Sequence, residues 1–388
     1  MSLISRSDRG LLARWWFTVD RPLLSATLLL MAVGVLVSMA ASPPVASRIG
    51  LDPYHFVKSQ LFYLTLAVTG LFTLSVFDRQ WIRRAGLAGF VGSLLLMWLA
   101  LKFGPEIKGA HRWLDVGPVS LQPSEFAKPT FVIVFAWMLS ERIRLPDMPG
   151  HLIAYGCAAL FLLSLIIQPD FGQAALVIAT IGAMLLVYGV PWPLIFGFAG
   201  AGVAAVAMAY ALVPHVASRI DRFLNPETGD TFQVDTSIQA FNNGGILGAG
   251  PGGGTAKLVL PDAHTDYTFS VVGEEFGLLA CLCIMGLFLF IIIRALKRAK
   301  TENDPFAALA MAGATSMFAI QASINMGVNV ALLPAKGMTL PMISYGGSSL
   351  LGTAMTIGFI LALGRQNAVA VETTPELAEA NINGHGTP

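Results

Sequence analysis

Apolar and polar residues fall along the chain in long blocks, not in the short amphipathic stripes of a soluble fold. Ten apolar blocks stand out, near residues 22–42, 58–77, 85–102, 125–140, 151–168, 173–189, 192–213, 267–293, 306–331 and 341–364. A helix that crosses a bilayer needs about 20 mostly apolar residues, so each block predicts one crossing. The run from Leu23 to Ala41 is the cleanest. It follows the polar segment 1–21, shows no small-residue cleavage pattern, and reads as an uncleaved first span. The block 85–102 is interrupted by Gly86, Gly89 and Gly92.

Composition agrees with this pattern. Of the 388 residues 55% are hydrophobic and only 12% charged, where a soluble chain carries roughly 25% charged residues. A soluble globule could not hide that much apolar surface, which argues against a secreted enzyme, a disordered chain or a nucleic-acid binder. The expected fold is an all-α polytopic membrane protein of about ten transmembrane helices. Its parts are an N-terminal tail at 1–21, a membrane domain at 22–365 and a disordered, acidic C-terminal tail at 366–388. Cys157, Cys281 and Cys283 all lie in apolar runs, and read as small core residues, not as a disulfide framework or metal site.

The formal net charge of +1 points to no partner, but the placement of charge orients the bundle. With both termini in the cytoplasm, 14 of the 24 Lys and Arg fall on inner segments, including the cluster Arg294–Lys300. The two long loops, about 103–124 and 214–266, then face outward. Long ordered loops are more often functional than ornamental.

These outer segments hold the chemistry. Arg112 and Trp113 suit a sugar or phosphate at the membrane surface, or else an interfacial anchor. Glu125 and Lys128, three residues apart at a helix start, either line a polar cavity or pin two helices together as a buried pair. Gln168-Pro169-Asp170-Phe171-Gly172 reads first as a structural turn, with Asp170 able to cap the next helix or line a cavity. Gly248, Gly250 and Gly253 satisfy G-x-G-x-x-G, but no strand precedes them and Pro251 interrupts the run, which argues against a nucleotide site. His264 and Asp266 end the long outer loop and lead into an apolar helix carrying Glu274 and Glu275. A carboxylate there can act as general base, help hold a divalent cation against a pyrophosphate, or simply cap the helix. In the last outer turn Lys336 is placed to meet an anionic head group, and Ser344 is among the hydroxyls of a non-helical wall.

Six segments in order resemble the SEDS family of bacterial cell-wall proteins: K-G-A-x-R-W from Lys108, Q-P-S-E-x-x-K from Gln122, Q-P-D-F-G from Gln168, H-T-D from His264, G-E-E-x-G from Gly273, and K-G-x-T-L-P-x-I-S-Y-G-G-S-S from Lys336. The resemblance spans about residues 15–365 and favours the septal branch over the elongation branch. His111, Tyr267 and Ser270 depart from the commonest forms, and no charged motif residue is lost. The resemblance implies a ten-helix peptidoglycan glycosyltransferase of the bacterial cytoplasmic membrane, at the division septum. It would polymerise lipid II and release undecaprenyl pyrophosphate. It maps the family's essential aspartate onto Asp266, its cavity carboxylate and lysine onto Glu125 and Lys128, and its loop arginine and tryptophan onto Arg112 and Trp113. It also implies a class B penicillin-binding protein, FtsI, and further division proteins as partners. A divalent cation, Mg²⁺ or Mn²⁺, is the one cofactor to consider. Two other classes suit a ten-helix bundle with a polar cavity: a lipid II flippase, and a scaffold for the penicillin-binding protein.

Overall fold

The computed structural model describes residues 10–365, apart from residues 108, 118, 226–230 and 336. The C-terminal tail expected at 366–388 and the candidate Lys336 lie outside the described residues. The element order is α1 (Leu11–Thr18), α2 (Arg21–Arg48), α3 (His55–Val76), α4 (Arg79–Phe103), β1 (Leu114–Val116), β2 (Val119–Leu121), α5 (Pro123–Arg144), α6 (Gly150–Ile167), α7 (Phe171–Tyr188), α8 (Trp192–Leu212), α9 (Pro214–Leu224), α10 (Phe232–Gly244), α11 (Ala256–Val259), α12 (Thr268–Lys300), α13 (Pro305–Asn329) and α14 (Gly347–Leu363).

Eight of these helices are long and apolar enough to cross a membrane. The more polar α5, with Glu125 and Lys128, and the 17-residue α14 bring the long helices to the expected ten. The two strands form one short antiparallel hairpin, with Leu114 opposite Leu121. At the centre α5 is buried on nearly every side, and α13 packs against it together with α4, α6 and α14. Phe131 anchors this core, its ring 5.7 Å from Phe90 and 5.4 Å from both Phe135 and Phe161.

Several boundaries differ from the hydropathy reading, each for a local reason. The N-terminal segment contains α1, because Trp15 is buried and its indole donates to Ser75 Oγ at 2.9 Å. Helix α2 runs past residue 42, through Pro43 and Pro44, to Arg48. The extension is tied down by Arg48, which donates to the Val259 and Leu260 carbonyls at 3.1 and 2.8 Å. The last helix starts at Gly347, since residues 341–346 form a tight turn with Met342 at φ 64°. That turn lies against Gly34 of α2, where a Cβ would stand 2.4 Å from the Met342 carbonyl oxygen. The long loop 214–266 is not featureless, and holds α9, α10 and α11.

The two ends of the bundle differ. One end, holding the starts of α2, α4 and α13 and the ends of α5 and α12, carries a belt of ion pairs. Arg79 meets Glu302 at 2.9 Å and Asp304 at 3.1 Å, Arg144 meets Asp304 at 2.7 Å, Arg83 meets Glu141 at 3.4 Å, and Arg294 meets Asp20 at 2.6 Å. The opposite end carries the loops with the candidate chemistry.

Helix α12 is broken near that opposite end. Gly277 has φ 77° and ψ −177°, a conformation that needs glycine. The break frees the amides of Leu278 and Leu279, which donate to the Gly245 and Ile246 carbonyls at 3.0 and 3.3 Å. In return Ala249 and Gly250 donate to the Glu274 and Glu275 carbonyls at 2.9 and 3.0 Å. The glycine-rich loop is therefore stitched into α12. A Cβ on Gly277 would lie 2.4 Å from Gly248 N and from Ile246 O. Gly277→Ala is expected to destabilise the protein by at least about 2 kcal/mol through strain and clash. A thermal-shift series in detergent checks this, and an unchanged midpoint would refute the account.

Candidate functional site

At the loop end the helices part around a cavity of about 2420 Å³. Most of its wall is apolar and comes from α6, α7, α8 and α9, with Leu162, Ile178, Leu185, Val203 and Phe223 among the residues that line it. Its polar lining includes Arg112, Asp170, Asp235, Asp262 and Asp266. The fold thus brings Asp266 and Arg112, distant in sequence, onto one surface.

Asp266 is half-buried in a turn whose geometry is heavily determined. Asp262 sits at φ 53°, and its carbonyl accepts from the amides of Thr265, Asp266 and Tyr267 at 3.1, 3.0 and 3.3 Å. The Asp266 carbonyl in turn accepts from Asn325 Nδ2 and Asn329 Nδ2, both at 2.9 Å. Asn329 Oδ1 accepts from Ser270 N and Ser270 Oγ at 3.0 and 2.6 Å, which fixes the start of α12. Asn325 also donates to the Met338 carbonyl at 2.6 Å, which holds the neighbouring loop. There Asp266 Oδ2 lies 3.4 Å from where a Cβ on Gly337 would stand. Two carboxamides four residues apart on an apolar helix share one face. That spacing was the available signal for Asn325 and Asn329, whose role sequence reasoning missed.

Arg112 follows an extended loop and reaches the turn between α6 and α7. Its Nε donates to the Gln168 carbonyl at 2.9 Å, its Nη2 to the Pro169 carbonyl, and its Nη1 lies 3.8 Å from Asp170 Oδ1. Two donors are thereby spent on the backbone, and a guanidinium has five. Asp170 both caps α7, accepting from Gln173 N at 3.4 Å, and lines the cavity. Burial pushes its carboxyl up from the ordinary range, and the charge of Arg112 opposes the shift. Trp113 is half-buried and does not line the cavity.

Glu125 and Lys128 lie elsewhere. They are 4% and 2% exposed and do not line the cavity. Lys128 Nζ donates to Glu125 Oε1 and Gln173 Oε1 at 2.9 Å each, and to Gln321 Oε1 at 3.3 Å. An ammonium has three protons, so these acceptors use all of them. Gln173 Nε2 completes the network on Glu125 Oε1 at 2.9 Å. The geometry favours the pinning alternative, a polar node joining α5, α7 and α13.

The remaining candidates support the loops. The His264 ring lies 4.5 Å from Phe56 and 5.5 Å from Tyr345, and its carbonyl accepts from Tyr345 N at 2.9 Å. Ser344 is buried, and its hydroxyl accepts from Leu340 N at 3.0 Å. Glu274 accepts from the amides of Thr255, Ala256 and Lys257 at 2.7, 2.7 and 3.0 Å, and Glu275 pairs with Lys257. Several amides of the glycine-rich loop are therefore spent inside the protein. Among the described residues no three His, Cys, Asp or Glu side chains are grouped to hold a metal ion by themselves.

Residues 21–368 match the family FtsW/RodA/SpoVE, described as "Cell cycle protein". The chain is 41% identical over 374 residues to the "Probable peptidoglycan glycosyltransferase FtsW" of Caulobacter vibrioides, covering 96% of each protein. It is 32% identical over 378 residues to the protein of that name from Escherichia coli O157:H7, covering 94% of this chain and 89% of the relative. Among solved structures it resembles a chain from "Structural coordination of polymerization and crosslinking by a peptidoglycan synthase complex". That match has TM-score 0.73 and 28% identity, covering 90% of this chain and 98% of the other. It also resembles the Thermus thermophilus rod shape determining protein RodA, with TM-score 0.66 and 26% identity over 90% of this chain and 97% of that one.

Proposed function

The chain belongs to the FtsW/RodA/SpoVE family of cell cycle proteins, and on that premise we propose that it polymerises lipid II at the division septum. It is a multi-pass membrane enzyme, a peptidoglycan glycosyltransferase. The observation that carries the substrate reading is the cavity, in which Asp266 and Arg112 share a surface with further carboxylates while most of the remaining wall is apolar. Such a chamber suits a molecule with a charged sugar pyrophosphate at one end and a polyprenyl chain at the other.

In the proposed reaction Asp266 takes the proton of the acceptor GlcNAc 4-hydroxyl. The oxygen attacks C1 of the donor MurNAc, the C1–O bond to pyrophosphate breaks, and undecaprenyl pyrophosphate leaves with inversion. Charge grows on the leaving pyrophosphate, and the Arg112 donors not spent on the backbone meet it. Preorganised donors of this kind stabilise a transition state strongly because they need no reorganisation. A divalent cation, Mg²⁺ or Mn²⁺, would be held by the cavity carboxylates Asp262 and Asp266 and would supply positive charge against the leaving group. The partner is a class B penicillin-binding protein, FtsI; the likeness to a chain of a peptidoglycan synthase complex supports a crosslinking partner. Both termini lie in the cytoplasm, so that the cavity opens on the outer face.

The test is lipid II polymerisation by the purified protein with its penicillin-binding partner. Glycan ladders are the expected result. Transport of labelled lipid II across liposomes without any polymer would overturn the enzyme reading in favour of a flippase.

Asn325 and Asn329 act as positioning residues in this scheme. A displacement of about 1 Å costs up to about 100-fold in rate, so Asn329→Ala is expected to lower kcat about 10- to 100-fold with little change in KM for lipid II. A change confined to KM would place the pair in substrate binding instead.

A further inference from the structure

At the ion-paired end of the bundle a groove of about 540 Å³ lies between α1, the turn from α3 to α4, and the end of α14. It is lined by Arg14, Val76, Phe77, Asp78, Trp81 and Arg365. The arginines around it differ from those of the ion-pair belt. Arg79, Arg83, Arg144 and Arg294 each meet a carboxylate. Among the described residues no ion pair joins Arg14, Arg84 or Arg365 to a carboxylate. Arg365 is half-buried and spends Nη2 on the Phe77 carbonyl at 2.8 Å. The one acid in the groove, Asp78, spends Oδ1 on Trp81 N at 2.9 Å as the cap of α4. Two cations and one anion leave the groove with a single positive charge, and Arg84, whose guanidinium lies 5.2 Å from the Trp81 ring centre, adds to it.

The surroundings are those of a membrane interface. Trp81 is 54% exposed and borders the groove. Helix α1 buries Trp15 against the bundle and leaves Arg14 and Trp16 exposed, with the Arg21 guanidinium 4.7 Å from the Trp16 ring. Tryptophan and arginine together mark the headgroup level. Basic pockets between membrane helices bind phospholipid headgroups, and guanidinium groups match phosphate geometry with paired donors. Val76 and Phe77 supply an apolar floor for the glycerol end.

We propose that the groove of Arg14, Trp81 and Arg365 binds the phosphodiester headgroup of an anionic glycerophospholipid. The site lies at the opposite end of the bundle from Asp266 and is independent of the reaction. Its role is to clamp α1 to the turn between α3 and α4 through a bound lipid.

The test is lipid retention by the full-length protein in nanodiscs and after gentle detergent extraction, counted by native mass spectrometry. The probes are phosphatidylglycerol, phosphatidylcholine and inorganic phosphate. The wild type is expected to retain one phosphatidylglycerol in preference to phosphatidylcholine. Each basic residue near a membrane surface contributes enough for about a 5-fold change in affinity. Arg14→Gln should therefore weaken retention about 5-fold and Arg14→Gln/Arg365→Gln about 30-fold. Arg142→Gln, at the same end but outside the groove, should leave it unchanged. Arg14→Gln alone keeps the test valid if loss of the Arg365–Phe77 bond harms folding, which the melting midpoint reports. Equal retention by the wild type and Arg14→Gln would overturn the proposal, as would equal retention of phosphatidylcholine. Displacement of the lipid by millimolar phosphate would reassign the site to a free anion. Retention that appears only after residues 366–388 are removed would make the acidic tail, with Glu372, Glu376 and Glu379, the occupant.

Discussion

Asp266→Asn protein is expected to polymerise lipid II about 10²- to 10⁴-fold more slowly than wild type, the range that removal of a positioned general base produces. The substitution keeps the size and shape of the side chain but removes its negative charge and with it the ability to accept a proton. The Asp266 backbone is held by Asn325 and Asn329 through its carbonyl, and by Asp262 through its amide. These bonds run through the Asp266 backbone, which the substitution leaves unchanged. Melting midpoint and partner binding are therefore expected to match wild type while glycan ladders disappear. A folded, partner-bound Asp266→Asn protein with near wild-type polymerisation would remove Asp266 from the role of base. A variant that also fails to melt like wild type would instead show that the carboxylate holds the turn, as the capping alternative for this residue allows.

Most of the long helices were legible because apolar blocks of membrane-crossing length mark them, and they fall within a few residues of those blocks. The boundaries that moved were set by contacts between distant segments. Arg48 extends α2 only because Val259 and Leu260 offer carbonyls more than 200 residues away. The break in α12 left no mark on hydropathy, since Gly277 differs from other membrane glycines only through the loop that meets it. The site was legible to the same degree. Asp266 and Arg112 stood out as charges at loop ends, and the fold brings them onto one cavity. Glu125 and Lys128 looked equally suited to a cavity. Helical spacing shows that two residues share a face, but not what that face meets. Helix α5 is buried nearly all round, so its pattern offers no polar side from which to choose. The acceptors that satisfy Lys128 come from Gln173 and Gln321, 45 and 193 residues away.

That node carries the second large effect. Lys128→Met is expected to destabilise the protein by about 3–5 kcal/mol, because it strips the cation from a buried carboxylate and leaves two glutamine oxygens short of a donor. The attraction between Lys128 and Glu125 acts at 2.9 Å with almost no solvent between them and their surroundings. Removing both charges should cost much less than removing one, since a buried pair often replaces well by neutral groups of similar volume. Lys128→Met/Glu125→Gln should then recover part of the lost stability. A double-mutant cycle should show strong coupling, on the order of 1–3 kcal/mol, as expected for residues in one network. Melting midpoints of the three variants in the same detergent measure both numbers. The cycle also decides between the two roles these residues can have. A pin between α5, α7 and α13 predicts low stability in the single variant and partial rescue in the double. A substrate contact predicts wild-type melting in every variant, with the loss appearing only in KM for lipid II. Lys128→Met protein of unchanged stability and raised KM would return the pair to the binding site.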